Sequence, residues 1–180
     1  MEKMICLRSD TITLPSDEMR KAMYQAEVGD DFYDCDPTVH QLEELSAEIL
    51  NKEASILVVS GTMGNLVSVL AQTRRGDSII LEETSHMFLK EVGGVATVAG
   101  TFPRSIKGVN GFISPKQLEK AVFSPEILHP KSSLACIENS HNAAGGKCLS
   151  VEKTESFCEV AHQNHLRVHL DGARIFNAAV

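Results

Sequence analysis

The chain has 180 residues, of which 43% are hydrophobic and 23% are charged, and its net charge is −7. This length and composition predict one domain of a soluble globular protein and exclude a disordered chain. The sequence contains neither a basic stripe nor an apolar run of about 20 residues, so neither a nucleic acid nor a membrane is expected as a partner.

Strand and helix signals alternate along the chain, which is typical of an α/β protein with a largely parallel sheet. The first helix is predicted at 36–50, with Asp36 as its N-cap and Pro37 in its first turn. A buried strand is predicted at 55–59, and the turn at 60–65 opens a helix that runs to residue 70. The later predicted elements are a strand at 78–81, a short helix at 85–90, a strand at 95–99, a helix at 114–122, a strand at 134–138, a helix at 151–164 and a strand at 168–171.

The turn Ser60-Gly61-Thr62-Met63-Gly64-Asn65 is a candidate phosphate site. The first amides of a helix are unpaired and its dipole is positive there, which favours an anion. Gly61 would let the backbone approach that anion closely, and Thr62 adds a hydroxyl donor. The turn lacks the lysine of a Walker A loop and the spacing of the dinucleotide fingerprint. Its glycine could also serve turn geometry alone.

Three further strand ends carry polar residues that could face the same crevice, because parallel strands joined by right-handed crossovers end at one edge. His86 could stack on an aromatic ligand ring or act as an acid or base, or it could be a merely exposed histidine. The segment 138–142 offers hydrogen-bond donors, or it is an ordinary polar turn. Asp171 could pair with a ligand cation and Arg174 with an anion, or the two could form a salt bridge. The set suits a protonated, phosphorylated heteroaromatic, for which pyridoxal 5'-phosphate is the candidate.

These motifs resemble those of a known family in order from residue 7 to the end of the chain. They are Leu7-Arg8-Ser9-Asp10-Thr11, Gly29-Asp30-Asp31 with Pro37-Thr38-Val39, Ser60 to Asn65, Ser85-His86, Glu138-Asn139-Ser140-His141-Asn142, and His169-Leu170-Asp171-Gly172-Ala173-Arg174. With them the chain resembles the low-specificity L-threonine aldolases, which are fold-type-I pyridoxal-phosphate enzymes. Several of the motifs recur in related enzymes such as beta-eliminating lyases.

The resemblance implies a three-layer α/β fold with a mostly parallel sheet, the large domain of fold-type-I enzymes. It implies a lyase that cleaves L-threonine or L-allo-threonine to glycine and acetaldehyde. The cofactor phosphate would be held by Ser60, Gly61 and Thr62. His86 would stack on the pyridine ring, and Asp171 would pair with the ring nitrogen.

The resemblance also implies a substrate site and an oligomer. Arg174 would contact the phenolic oxygen of the cofactor and, with Ser9, the substrate. His129 matches a family histidine near the substrate hydroxyl and is, with His86, a candidate for the proton step. Family members are usually tetramers built of dimers, with sites at the subunit boundary. The acidic, aromatic loop at 31–36 could then serve a neighbour's site, or it could be solvated.

The chain departs from the family at its end. The lysine that tethers the family's cofactor follows a later strand, and the chain ends first. The lysines present have helical or loop contexts instead: Lys90, Lys107, Lys116, Lys120, Lys131, Lys147 and Lys153. Residues 1–180 are therefore expected to form an N-terminal arm and most of the large domain, without the rest of that domain or the small C-terminal domain. A fragment, a truncated isoform or an incomplete sequence is expected.

Three functions remain open on the sequence alone. The first is a threonine-aldolase-type lyase that a missing C-terminal part completes. The second is a non-catalytic truncated isoform or fragment that binds cofactor weakly or pairs with a full-length subunit. The third is a doubly wound nucleotide-binding oxidoreductase, which the missing glycine fingerprint disfavours.

The five cysteines predict neither a disulfide framework nor a metal site. Their number is odd and no two have CxxC spacing, so reduced thiols in a cytoplasmic protein are expected, while an organellar location stays open. They are Cys6, Cys35, Cys136, Cys148 and Cys158.

Overall fold

The computed structural model describes residues 5–33 and 35–180. The chain divides after Leu57 into two compact units, Met1–Leu57 and Val58–Val180. Within the described residues, no helix combines the length and the apolar character that crossing a membrane requires.

The first unit contains helices α1 (Asp17–Gln25) and α2 (Pro37–Ile49) and two single turns of 3-10 helix, at Asp10–Ile12 and Asp31–Tyr33. The sequence did not predict α1, which begins after Ser16, where the Ser16 hydroxyl accepts a hydrogen bond from the Met19 amide at 3.3 Å. Its side chains are all exposed, including Met19 and Met23, which lie four residues apart on one face of the helix.

Asp36 is the N-cap of α2, as predicted. Its Oδ1 accepts hydrogen bonds from the amides of Thr38 at 2.9 Å and Val39 at 3.0 Å, and its Oδ2 accepts one from the Gly29 amide at 2.9 Å. The Gly29 bond and these cap bonds lower the pKa of Asp36. A Cβ atom at Gly29 would clash with the carbonyl oxygen of Cys35, so only glycine allows this approach. Asp34 of the predicted loop lies outside the described residues.

The predicted strand at 55–59 is wrong. The segment has no regular structure, and Ile56 and Val59 are 74% and 93% exposed. A strand requires a neighbour for its amides and carbonyls, and none of the described strands pairs with this segment. The amide of Leu57 instead donates to the Glu43 carboxylate at 2.6 Å.

The second unit is built on a four-stranded sheet in the order β2-β1-β3-β4. The strands are β1 (Ser78–Glu82), β2 (Phe102–Ile106), β3 (Ser132–Glu138) and β4 (Arg167–Asp171). All neighbouring pairs are parallel, and the register places Glu138 beside Asp171. The predicted strands that correspond to β1, β3 and β4 are confirmed to within two residues.

The predicted strand at 95–99 is also wrong. This segment contains helix α5 (Gly94–Thr97), and the strand follows as β2. Val95 and Ala99 are buried while the residues between them are exposed, which is the spacing of a helix and not the alternation of a strand. Proline at position 103 obscures β2 in the sequence, yet it is tolerated because β2 is an edge strand.

Helices cover both faces of the sheet, which confirms the predicted three-layer α/β fold. Ile79 and Leu81 of β1 point to a core shared with α3 (Gly61–Gln72), α4 (His86–Leu89) and α5, and Ile80 points to the opposite core. That opposite core includes Leu118 of α6 (Pro115–Ala121) and Phe157 of α7 (Val151–Gln163). The short helix α8 (Ile175–Ala178) follows β4. Successive strand residues alternate between faces, so the continuous apolar run of β1 serves both layers.

Candidate active site at the carboxyl edge of the sheet

Three neighbouring strands end in buried acidic residues. Glu82, Glu138 and Asp171 are the last residues of β1, β3 and β4, and none is more than 8% exposed. Carboxylates are rarely buried without partners, so this edge is a candidate site. The sequence drew attention to Asp171 and to the segment that contains Glu138. It missed Glu82, whose signal was a charge directly after an apolar strand.

Asp171 both caps a turn and faces the interior of the site. Its Oδ1 accepts a hydrogen bond from the Ala173 amide at 3.1 Å, which is the turn-capping role. Its Oδ2 accepts a second one from Nδ2 of Asn65 at 2.9 Å. Each oxygen of a carboxylate has two lone pairs, so Asp171 keeps acceptor capacity for a ligand.

His86 is held at two points by buried carboxylates. Its backbone amide donates to Glu138 Oε2 at 2.8 Å, and its ring Nδ1 lies 2.8 Å from Glu91 Oε1. The His86 side chain is 37% exposed, whereas that of Glu91 is 2% exposed. The Glu91 carboxylate thus fixes the ring at Nδ1, and part of the ring remains exposed. The sequence predicted His86 but not Glu91, which follows α4 and precedes α5.

Asn65 connects these groups. Its Nδ2 donates to Glu91 Oε1 at 2.8 Å as well as to Asp171, and its Oδ1 lies 2.9 Å from Nε2 of His169. Burial lowers the pKa of His169, although the charge of Asp171 acts in the opposite direction. His169 therefore favours its neutral form, which leaves one ring N–H for Asn65.

The N-terminus of α3 adjoins this cluster. Ser60 is the N-cap, and its hydroxyl accepts a hydrogen bond from the Met63 amide at 3.1 Å. The amides of Gly61 and Thr62 precede the first intrahelical bonds, and a side chain at Gly61 would meet no atom within 4 Å. Asn65 lies one helical turn, about 6 Å, further along the axis. The predicted anion site and the acidic strand ends therefore belong to one region.

A second buried cluster lies at the same carboxyl edge of the sheet. His141 is 1% exposed, and its Nε2 lies 3.5 Å from Glu82 Oε2 and 3.8 Å from Glu138 Oε2. Its Nδ1 accepts a hydrogen bond from the Ala144 amide at 3.3 Å, so the ring proton is on Nε2, between the two carboxylates. Burial acts to raise the pKa of Glu82, but hydrogen bonds from Thr84 and Gly108 hold it below its usual value.

The remaining predicted residues lie in different places. Arg174 follows Asp171 by three residues and is the half-buried N-cap of α8, beside the site. Ser9 belongs to the first unit, where its hydroxyl caps the 3-10 turn and lies 2.8 Å from that of Thr11.

His129 does not join His86 within one chain. It is exposed, it precedes β3, and its ring packs 5.3 Å from that of Phe123. Seven residues of β3 separate the two edges of the sheet, which is about 20 Å of extended chain. Residues before a parallel strand lie at its amino edge, so a proton step shared by His129 and His86 of the same chain is not supported.

His86, Glu91 and Asp171 also satisfy the spacing of a metal site, since one ligand atom of each lies within 4.8 Å of the others. The Asn65 amide already donates to the two carboxylates of this group. The expectation that the protein binds no metal remains a prediction.

The sequence pattern of the Beta-eliminating lyase family matches residues 7–180. The chain belongs to this family. It is 44% identical over 178 residues to low-specificity L-threonine aldolase 1 of Arabidopsis thaliana, covering 97% of this chain and 50% of the relative. It is 40% identical over 178 residues to the low-specificity L-threonine aldolase of Escherichia coli (strain K12), covering 98% and 53%. The chain thus spans about half the length of these curated relatives.

The fold agrees with the family. The threonine aldolase of Leishmania major superposes with a TM-score of 0.77 at 21% sequence identity, over 90% of this chain and 46% of that one. This likeness establishes the shared fold. The expected fold-type-I architecture is therefore confirmed.

Proposed function

We propose that this chain forms the cofactor-binding surface of a pyridoxal-5'-phosphate-dependent aldolase. The reaction is the cleavage of L-threonine or L-allo-threonine to glycine and acetaldehyde. The observation that carries the proposal is the buried hydrogen-bonded chain from Asp171 through Asn65 and Glu91 to His86, beside the open end of α3. The names of the relatives support the choice of substrate.

The residues present fit this cofactor. Open space lies at Gly61, where the first amides of a helix can receive a phosphate. Asp171 retains acceptor capacity for a ring N–H, and the partly open face of His86 offers a flat surface for stacking. The buried hydroxyl of Ser85 forms no hydrogen bond among the described residues, so a donor beside His86 is also left for a ligand.

Asp171 would hold the proton at the ring nitrogen. When bound, the protonated cofactor supplies the electron sink for breaking the Cα–Cβ bond. This carboxylate accepts hydrogen bonds from Asn65 and Ala173, which hold it in place at the end of β4. It can therefore favour the charged form of a ring placed against it.

His86 would accept the proton of the substrate's β-hydroxyl. Glu91 Oε1 accepts a hydrogen bond from Asn65, so it also accepts from His86, and Nδ1 of His86 carries the ring hydrogen. Nε2 then has a free lone pair and can act as a base. Glu138 fixes the start of α4 through the His86 amide, which keeps the ring at one position.

We propose further that Ser9 and Arg174 bind the substrate, that Ser60 and Thr62 assist Gly61 at the phosphate, and that Arg174 contacts the phenolic oxygen of the cofactor. A homo-oligomer with sites at subunit boundaries would give His129 and the loop at 31–36 a place at a neighbour's site. The support for these roles is the resemblance of the motifs.

A second candidate is a chain that binds the cofactor without aldolase activity. Among residues 5–33 and 35–180, no lysine forms a hydrogen bond or ion pair with Asp171, His86 or Glu91. Such a chain would hold the cofactor through its phosphate and ring alone.

The test measures cofactor binding and cleavage separately. Equilibrium dialysis gives the affinity for pyridoxal 5'-phosphate, and a coupled alcohol dehydrogenase assay gives acetaldehyde released from each substrate. Asp171→Asn keeps the shape but removes the charge, and we expect cleavage to fall by roughly ten- to hundredfold. Asp17→Asn, an exposed change on α1, is the matched control and should alter neither value.

The outcomes separate the two candidates. Cleavage faster than that of the free cofactor, with the Asp171→Asn loss, supports the aldolase. Binding without acetaldehyde favours the second candidate. Absence of both binding and acetaldehyde overturns the proposal.

A further inference from the structure

We infer that Asn65 is a positioning residue that couples the anion at the cofactor ring to the stacked histidine, an inference that rests on the proposed function. Asn65 is 6% exposed and belongs to α3. It contacts Glu91, Asp171 and His169, which come from two other parts of the chain. One neutral amide thus joins three ionisable groups.

The hydrogen-bond partners of Asn65 fix the orientation of its amide. Both hydrogens of Nδ2 are used, one for Glu91 Oε1 at 2.8 Å and one for Asp171 Oδ2 at 2.9 Å. A flipped amide would place its oxygen against two carboxylates, which only accept hydrogen bonds. With Nδ2 assigned to the acids, Oδ1 must accept from His169, and it sets the proton of that ring on Nε2.

The amide also separates two like charges. The ligand atoms of Asp171 and Glu91 lie within 4.8 Å of each other, and both residues are buried. Two carboxylates at such a distance repel each other, and burial strengthens the repulsion because less water screens it. A shared NH2 group between them lets both remain acceptors without moving apart.

Asn65 therefore affects the roles of both Asp171 and Glu91. Asp171 is the group assigned to the ring nitrogen, and Glu91 is the group that orients His86. Asn65 fixes the separation between these acids and hence the place of the histidine ring relative to the carboxylate. It acts through Asp171 and Glu91 and not on the reacting atoms.

The test compares Asn65→Ala and Asn65→Ser with the wild-type chain. The first readout is the set of histidine ring nitrogen NMR shifts in the cofactor-free protein. We expect the wild type to show His169 with its proton on Nε2 and His86 with its proton on Nδ1. In the variants His169 should lose its single tautomer. The second readout is the affinity for pyridoxal 5'-phosphate, which should fall roughly tenfold or more.

The controls separate this inference from a structural role and from the proposed function. Asn164→Ala removes a half-buried asparagine whose Nδ2 donates to Val160 O at the end of α7, so it should change neither readout. Variants at Asn65 that lose stability but keep the wild-type tautomers and affinity overturn the inference. If the wild type binds no cofactor, the proposed function fails, while the tautomers of the cofactor-free protein still test Asn65.

Discussion

Buried charged side chains are stabilised at this site by partners that the sequence does not place beside them. Asp171 and Asn65 are 106 positions apart, and the Glu138 carboxylate reaches the His86 amide across 52 positions. The sequence indicated Asp171 and the segment that contains Glu138, because a charged residue rarely follows an apolar strand without a role there. Their pairing required the sheet order, so Glu91 and His169 could not be assigned from spacing alone.

At the residue scale, His169 should make stability depend on pH. Its folded pKa lies below 6.5 because it is buried, so below pH 6.5 the unfolded chain binds a proton that the folded chain does not. The free energy of unfolding should therefore decrease as the pH falls from 6.5 toward the folded pKa. Urea titrations of the wild type and His169→Gln over this range measure it.

The variant should show a shallower pH dependence, because glutamine can donate to Asn65 but does not titrate. His162→Gln changes an exposed histidine of α7 and serves as the control. Equal slopes for the wild type and His169→Gln would contradict the expectation.

Cys136 should be the least reactive of the thiols in the second unit. Burial and the charge of Asp171 raise its pKa to about 12, and it is 4% exposed, so it has almost no thiolate at neutral pH. Cys148 is exposed. Iodoacetamide at pH 8 followed by peptide mass spectrometry should label Cys148 well before Cys136, and denaturant should remove the difference. Early labelling of Cys136 in the native chain would contradict this burial.

At the element scale, the sequence correctly predicted those helix starts and buried strands whose signals lie within a few neighbouring residues. The predicted helix at 114–122 is α6, and Ser114 forms a capping box with Gln117: the hydroxyl accepts from the Gln117 amide and the Gln117 side chain accepts from the Ser114 amide. These contacts span three residues, so tertiary structure is not needed to recognise them.

Ser114→Ala should lower the free energy of unfolding by about 1 kcal/mol, because it leaves a helix amide without its acceptor. Ser105→Ala, at an exposed position of β2, should change it by less than about 0.5 kcal/mol. Urea unfolding followed by circular dichroism provides both values, and equal effects of the two changes would speak against the cap.

The two strand predictions that failed did so for different reasons. Residues 56–59 are apolar, and Ile56, Val58 and Val59 are β-branched, but no described strand pairs with this segment. Residues 95–99 have strand-like composition, yet Val95 and Ala99 pack together with Met87 against the sheet. Composition alone could not show that either segment is not a strand. A strand forms only where another strand can pair with it, and which residues of a segment are buried depends on the element that packs against it.

At the scale of the whole molecule, the parallel sheet explains where the site is. Every described strand runs in one direction, so polar residues that follow apolar strands collect at the carboxyl edge. The same rule places His129 at the amino edge, because it precedes β3. Topology therefore separates His129 from His86 of the same chain, and its role at a neighbour's site stays a prediction.

The sequence by itself determined the α/β class, the alternation that yields a parallel sheet, the capped starts of α2 and α6, and most of the residue types at the site. These features depend on contacts within a few residues or on hydrophobic periodicity, and both can be read from short segments of the sequence. Only the tertiary structure decided that Asn65 lies between Asp171 and Glu91, that Glu91 orients His86, and that His141 lies between Glu82 and Glu138. Those contacts join residues from separate elements, and their distances are set by strand order and register, which no local pattern encodes.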